Sequence, residues 1–195
     1  DGCIRDFLSQ MDELYSLRGQ GLREFISSTQ VPSEEQDKAL RAASKVKRQN
    51  LVRRVETNPP EEVERIVDGL ARVTAELQKN LEVPELGRFL LRGDLEGNDL
   101  KSEIDILREA NQTGYLRILK EEGSRMVFRV HTSLAPQYGF SYRGSYYEVA
   151  LTASDLTKLR TARDHSAATK VVASIVQRFS PPASSRLFEP TGSDD

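Results

Sequence analysis

The stretch from Asn98 to His131 constrains the fold more than any other part of this sequence, because a helical repeat passes directly into two alternating segments. Asn98 can cap a helix whose apolar residues recur three or four positions apart, and Gly114 can end it. Those residues are Leu100, Ile104, Leu107 and Ala110. Alternation on both sides of the turn residues Glu122 and Gly123 predicts a β-hairpin. Its predicted core is Leu116, Ile118, Phe128 and Val130.

This order of helix and hairpin resembles the winged-helix superfamily, in which a recognition helix precedes a hairpin called the wing. The resemblance implies a winged-helix-like unit over residues 83–151, ending in a strand from Tyr147 to Leu151. The apolar run from Leu86 to Leu91 predicts a short helix, which the resemblance implies is part of a trihelical packing. The run from Leu134 to Gly144 is similar to segments that end the winged-helix parts of large bacterial multidomain NTPases. That similarity implies a regulatory or partner-binding part, without NTPase activity, because no Walker-type loop is present.

The remaining segments are predicted to be helical, which gives an α+β fold that is mostly α. A helical bundle is expected over residues 1–82, with a long first helix from Ile4 to Ile26. Its second helix is expected to open at Pro32 and Ser33, with Gln36 completing a capping box, and to run to about Glu56. Its third helix is expected to start after a cap at Asn58 and to reach about Leu81. C-terminal helices are expected over 152–179, the first capped by Thr152 and Asp155, followed by a flexible tail over 180–195.

Composition narrows the functional class. The formal net charge is −2, and no apolar run approaches the length of a membrane span or a secretory signal, so the chain is expected to be cytoplasmic. Cys3 is the single cysteine, and the two histidines, His131 and His165, lack ligands at metal-binding spacing. We therefore expect no metal, no cofactor and no catalysis. The chain starts at Asp1, as expected of a piece of a longer protein.

The charges of the predicted recognition helix disfavour insertion into a DNA groove. Lys101 and Arg108 are its basic residues, and the same helix carries four acids. The acids are Asp99, Glu103, Asp105 and Glu109. The wing is more basic, with Lys120, Arg125 and Arg129 as its candidate phosphate contacts, together with Arg117. Phosphates on both sides of the groove demand a neutral or positive helix, so a protein-binding role is favoured.

A second candidate for nucleic-acid binding is a basic ridge predicted at spacings of three and four residues. We define the basic ridge as Lys38, Arg41, Lys45 and Arg48. Such a ridge could grip a nucleic-acid backbone without reading its sequence. The alternative is a solvated helix face paired with acids of the neighbouring helices, among them Glu61, Glu62 and Glu64.

Two apolar features are candidates for binding a partner. Aromatic residues cluster around Arg143, and they could anchor a protein or pin a loop against the hairpin: Tyr138, Phe140, Tyr142, Tyr146 and Tyr147. The last helix, from His165 to Phe179, has a broad apolar face, which we expect to be buried partly against another chain. The alternative is docking onto the chain's own N-terminal bundle. The apolar residues of this helix are Val171, Val172, Ile175, Val176 and Phe179.

These patterns favour a non-catalytic protein-interaction or regulatory module in an intracellular, prokaryotic assembly. The partner would be another protein or a second copy of the chain. The alternative is a DNA-binding transcriptional regulator or accessory factor that contacts the backbone of double-stranded DNA through the basic residues named above.

Overall fold

The computed structural model describes residues 4–18, 31–57, 59–80, 86–93, 100–141 and 147–179. They form an α+β fold that is mostly α-helical, with one four-stranded sheet, as the sequence predicted. The helices are α1 (Ile4–Arg18), α2 (Ser33–Gln49), α3 (Glu61–Asn80), α4 (Lys101–Gln112), α5 (Ala135–Tyr138), α6 (Ala153–Thr161) and α7 (His165–Phe179). The strands are β1 (Leu86–Arg92), β2 (Leu116–Glu122), β3 (Arg125–Val130) and β4 (Tyr147–Leu151).

Helix α2 differs from its prediction at both ends. Pro32, not Ser33, occupies its N-cap, and no side chain caps it. The side-chain amide of Gln36 instead donates to the backbone carbonyl of Val31 at 2.7 Å, so the predicted capping box is wrong. The helix ends at Gln49 rather than near Glu56, because a turn follows that places Leu51 in the core. Asn58 and the predicted extension of the first helix to Ile26 lie outside the described residues.

Helix α3 is the central helix and is buried along most of its length. It packs against α6, α7, α4 and the sheet. Its crossing with α6 is close at Gly69, where a Cβ atom would lie 2.5 Å from Cδ2 of Leu159. One buried apolar cluster extends from Leu51 to Val176 and joins α3, α4, the sheet and α7. The division of the chain near residues 82 and 151 stays a prediction.

The segment from Leu86 to Leu91 is a strand, so the helix predicted there is wrong. β1 pairs antiparallel with β3 and parallel with β4, and the strand order is β2-β3-β1-β4. A short apolar run can be a helix or a strand by periodicity alone, and pairing on both sides decides it here. The sheet has an inner face, where Phe89 and Phe128 join the core, and an outer face that carries Arg88 and Arg129.

The predicted helix and hairpin are confirmed in order and type. α4 begins at Lys101, with Leu100 at the N-cap, and Gly114 follows its end with a φ of 79°. The proposed cap Asn98 lies outside the described residues. β2 and β3 pair antiparallel around Gly123 and Ser124, one position later than predicted. Leu116, Phe128 and Val130 are buried as predicted, whereas Ile118 is only partly buried.

The C-terminal elements also follow their predictions. β4 occupies the predicted range, and Thr152 and Asp155 form a reciprocal capping box at the start of α6. α7 spans His165 to Phe179 and packs on α3 and α6 of the same chain. Among the helices within the described ranges, none is long and apolar enough to cross a membrane.

Candidate interaction surfaces

The exposed side of α4 carries one cation that acids already neutralise, Arg108, and one exposed cation, Lys101. Nη2 of Arg108 lies 2.6 Å from Oε1 of Glu121 on β2, and its Nη1 lies 3.8 Å from Asp105. Lys101 is exposed at the start of the helix. The opposite side, with Ile104 and Leu107, is in the core. α4 therefore offers a nearly neutral surface.

Two acids that were expected on the exposed face of α4 instead join it to other segments. Glu103 is buried, where it accepts a hydrogen bond from the Thr157 hydroxyl at 3.0 Å and pairs with Arg160 at 3.4 Å. Glu109 accepts hydrogen bonds from the backbone N–H groups of Glu56 and Thr57. These carboxylates hold α4 to neighbouring segments by hydrogen bonds and an ion pair, so their role in the described contacts is structural.

The three predicted basic residues of the wing have different environments. Lys120 pairs with Glu122 of the same strand at 2.9 Å. Nη2 of Arg125 donates to both carboxylate oxygens of Glu148 on β4, at 2.9 and 2.8 Å. Arg129 lies between two other arginines of the outer face, and its surroundings are therefore the most positive of the three.

The outer face of the sheet has a concentration of arginines that the sequence analysis did not identify as one surface. β2 residue Arg117 is the register partner of Arg129, and Arg88 precedes Phe89, the partner of Phe128. We call Arg88, Arg129 and Arg117 the arginine row. Burial, followed by the charges of Arg117 and Arg88, lowers the pKa of Arg129. The pairing of β1 with β3, which no local pattern reveals, adds Arg88 to the hairpin residues Arg117 and Arg129.

The basic ridge lies on α2 as predicted, but acids neutralise most of its charge. Lys38 pairs with Glu34 at 2.7 Å and Arg41 with Asp37 at 2.8 Å, each one helical turn away. Lys45 is exposed. The side chain of Arg48 leaves the ridge and binds acids of α3, with Nη2 at 3.1 Å from Asp68 and 3.6 Å from Glu64.

Asp68 is the centre of a polar network below the end of the ridge. Besides Arg48, it binds Nε of Arg72 at 2.7 Å and accepts a hydrogen bond from the Tyr138 hydroxyl at 2.7 Å. Burial, together with the charge of Asp68 and this hydrogen bond, raises the pKa of Tyr138 well above its ordinary value. The phenol of Tyr138 thus has an internal partner. Tyr142, Arg143 and Tyr146, the other predicted aromatic-loop contacts, lie outside the described residues.

The apolar face of α7 is covered by the chain itself. Val172 and Ile175 are buried in the common core, and Phe179 is partly buried against it. Docking on the chain's own α3 therefore replaces the predicted burial of Val172 and Ile175 against another chain. A groove of about 630 Å³ remains between α3 and α7, and its lining includes Arg72, Lys79 and His165.

The pair α1 and α2 bears the most exposed apolar side chains of the described residues. Phe7 and Leu8 are each 58% exposed and Leu17 is 51% exposed. Beside them, a groove of about 430 Å³ lies between the two helices, lined by apolar residues and two glutamines. The apolar lining consists of Phe7, Met11, Leu14, Val31, Ala39 and Leu40. The apolar repeat of this segment predicted a helix, without indicating which of its apolar residues stay exposed.

The histidines have unrelated environments. Nδ1 of His131 lies 3.3 Å from the backbone N–H of Ser133, and Nδ1 of His165 lies 3.1 Å from Nη1 of Arg72. Within the described ranges, no group of three histidine, cysteine or acidic residues is placed to hold a metal ion.

Comparison with known proteins identifies the family of this chain. The family model described as ORC-CDC6-like matches residues 1–151. Neither the curated proteins nor the solved structures include a significant match. The matched region ends with β4, so it contains the complete sheet together with α1 to α5. Because the match covers more than half of its residues, the chain belongs to the ORC-CDC6-like family.

Proposed function

We propose that this chain is a non-catalytic interaction module of an ORC-CDC6-like system, and that it binds an amphipathic helix of a protein partner through α1 and α2. The observation that carries the proposal is the apolar groove between α1 and α2, whose lining includes the exposed side chain of Phe7. Large apolar side chains grouped on one surface mark interaction sites in soluble proteins. A groove between two helices suits the apolar stripe of a third.

The charges near the groove are balanced, which suits a partner helix whose apolar stripe is flanked by residues of both charges. Arg18 at the end of α1 pairs with Glu35 at 2.9 Å, and Lys38 and Arg41 pair with acids of α2 itself. Because these cations already have acidic partners, the apolar residues dominate what the surface can offer. This agrees with the neutral exposed side of α4, which gives no strong phosphate-binding surface there.

The proposal can be tested by affinity capture from an extract of the source cells with the purified chain and a variant, Phe7→Glu. Phe7 lines the groove and is 58% exposed, so the variant should fold. We expect one partner to be enriched by the parent chain and lost with the variant. The partner is then produced in pure form, and the affinities of the parent, the variant and the control Lys170→Glu are compared. Equal binding by parent and variant would refute the assigned surface.

Binding of double-stranded DNA is the alternative function, and the positive residues of the basic ridge and the wing are its support. It predicts retention of a mixed-sequence duplex that falls steeply as salt rises. Because Lys38 and Arg41 have acidic partners one turn away, we expect duplex binding to be weak at physiological salt. Tight binding that disappears on reversal of the four ridge charges to Glu would favour the alternative.

A further inference from the structure

The groove between α3 and α7 runs along almost the whole of α7. The residues that α7 contributes to it recur three or four positions apart, so they share one face of the helix. They are His165, Thr169, Val172, Ala173, Val176 and Gln177. The span from residue 165 to residue 177 is about 18 Å long at roughly 1.5 Å per residue. The facing residues of α3 are Arg72, Ala75, Glu76 and Lys79.

The floor of this groove is apolar and its rim is charged. Val172 and Val176 are buried at its base, and the small side chain of Ala173 is exposed beside them. Its volume of about 630 Å³ falls within the range of about 300–1,000 Å³ that is typical of ligand sites. At the rim, Nζ of Lys79 lies 2.9 Å from Oε1 of Glu76, and the two side chains are 60% and 44% exposed. The groove therefore suits an apolar occupant flanked by charges of both signs.

The sequence that follows α7 contains one short segment of this kind. Leu187 and Phe188 are adjacent, and they are the only large aliphatic or aromatic residues between positions 180 and 195. Arg186 precedes them and Glu189 follows them. An apolar pair between opposite charges matches both the apolar floor and the oppositely charged rim.

The length of chain between α7 and this segment allows it to reach the groove. The described chain leaves α7 at Phe179, close to the Gln177 end of the groove, and Pro181 disfavours continuation of the helix. Leu187 is eight residues beyond Phe179, and eight extended residues span at most about 26–29 Å. That reach exceeds the length of the groove. A tether this short also gives its segment an effective concentration of about a millimolar, so a weak site would be filled.

We propose that the α3–α7 groove is a binding site for a short apolar peptide segment, and that its occupant is the segment 186–189 of the same chain. Leu187 and Phe188 provide the affinity by covering the apolar floor. The exposed pair of Glu76 and Lys79 exchanges partners with the flanking Arg186 and Glu189 at little cost, because exposed ion pairs contribute little to stability. The site shares no lining residue with the α1–α2 groove, so it goes beyond the proposed function and does not depend on it.

The first test is nuclear magnetic resonance of the full chain with labelled valine methyl groups. We expect nuclear Overhauser contacts between the ring of Phe188 and the methyl groups of Val172 and Val176. Ala173→Glu should remove these contacts, because it places a charge on the floor at an exposed position. Ser174→Glu is the matched control and should keep them, since Ser174 is exposed on the same helix and does not line the groove.

The second test adds a synthetic peptide of residues 183–192 and measures its binding by calorimetry. The tail variant, Leu187→Ser with Phe188→Ser, leaves the described fold unchanged and frees the groove. It should bind the peptide at least tenfold more tightly than the parent, whose own segment competes. Addition of Ala173→Glu to the tail variant should abolish the binding. Thr169→Glu, at another exposed position of the lining, replaces Ala173→Glu in both tests if that variant fails to fold.

Three results would each overturn the proposal. They are the absence of Phe188 contacts in the parent, equal peptide affinities of the parent and the tail variant, and contacts that persist with a charge in the groove. Contacts that disappear on dilution would assign the occupant to a second copy of the chain and would also overturn docking within one chain. Phe7→Glu, which tests the proposed function, should leave the Phe188 contacts unchanged, so the two proposals fail separately.

Discussion

The basic ridge on α2 and the arginine row on the sheet contain similar residues in different surroundings. On the ridge, Lys38 and Arg41 each have a carboxylate one helical turn away, and Arg48 reaches Asp68 on α3. In the row, the neighbours of Arg129 across both adjacent strands are arginines. Most of the positive residues that are close in sequence thus have acidic partners. Positive residues that are distant in sequence are placed side by side by strand pairing. Clustering in the sequence is therefore a poor guide to the positive potential of this molecule.

The largest expected effect concerns the apolar support beneath the arginine row. Phe128 lies between Val127 and Arg129 on β3, and its ring is 5.7 Å from that of Phe89 in the core. Phe128→Ala should lower the free energy of unfolding by about 3–5 kcal/mol, because a fully buried aromatic side chain is lost. Leu119→Ala on the exposed part of β2 is the control, with an expected change within about 0.5 kcal/mol. Urea unfolding measures both, and a Phe128 effect as small as the control would contradict this packing.

The neutralisation of the ridge should depend strongly on Asp68. Asp68→Ala removes the acceptor of Arg48, Arg72 and the Tyr138 hydroxyl at once. We expect a loss of about 2–3 kcal/mol, since part-buried donors are left unsatisfied. Glu76→Ala, which loses only an exposed pair with Lys79, is the matched control. Equal stabilities of the two variants would show that Arg48 does not need its acidic partner.

Arg178 of α7 is another paired cation, and its partner, Asp155, titrates. Burial alone would raise the pKa of Asp155, but hydrogen bonds from Thr152 and Arg178 outweigh it and lower that pKa below 3.8. The stabilisation is therefore complete above the unfolded pKa and is lost as pH falls through the lower folded value. Asp155→Ala should cost about 1–2 kcal/mol at neutral pH through loss of the cap. The stability difference between parent and variant, measured against pH, should shrink only in the acid range.

The smallest effect is expected on the ridge itself. Arg41→Gln removes an exposed pair with Asp37 and should change stability by about 0.3–0.5 kcal/mol at low salt. High salt should remove that difference, because the pair is open to counterions. Chemical unfolding at two salt concentrations provides the measurement. A salt-independent loss above 1 kcal/mol would indicate a contact of Arg41 other than this pair.

The periodicity of apolar residues correctly predicted the elements that are long or bounded by turns. It failed where the apolar run was short. α3, α4, the hairpin and α7 each have an apolar repeat that fits only one type of secondary structure. The six residues from Leu86 to Leu91 fit a helix or a strand equally well. Their pairing with β3 and β4, which are distant in sequence, makes them a strand. Ser33 fitted a capping box, but the chain enters α2 with Pro32 at the cap.

The sequence could predict only those surfaces whose residues are related by local spacing along one element or one hairpin. Glu34 and Asp37 stand one turn before Lys38 and Arg41, so neutralisation of the ridge could have been inferred from spacing alone. The alternation of β2 and β3 could also have put Arg117 and Arg129 on one face. Arg88 could not be added, because its segment was assigned to a helix. The exposed apolar residues of α1 were predicted as a helix face without any sign of which part stays uncovered.

The parallel pairing of β4 with β1 has a consequence for the order of folding. β2 and β3 are joined by a two-residue turn, whereas β1 and β4 are separated by the whole of α4 and the hairpin. Closing the longer loop costs more chain entropy before any contact compensates for it. We therefore expect the hairpin to be structured in the transition state and the β1–β4 pair to form on its downhill side. Substitutions at Leu116 should then slow refolding, and substitutions at Val149 should mainly accelerate unfolding.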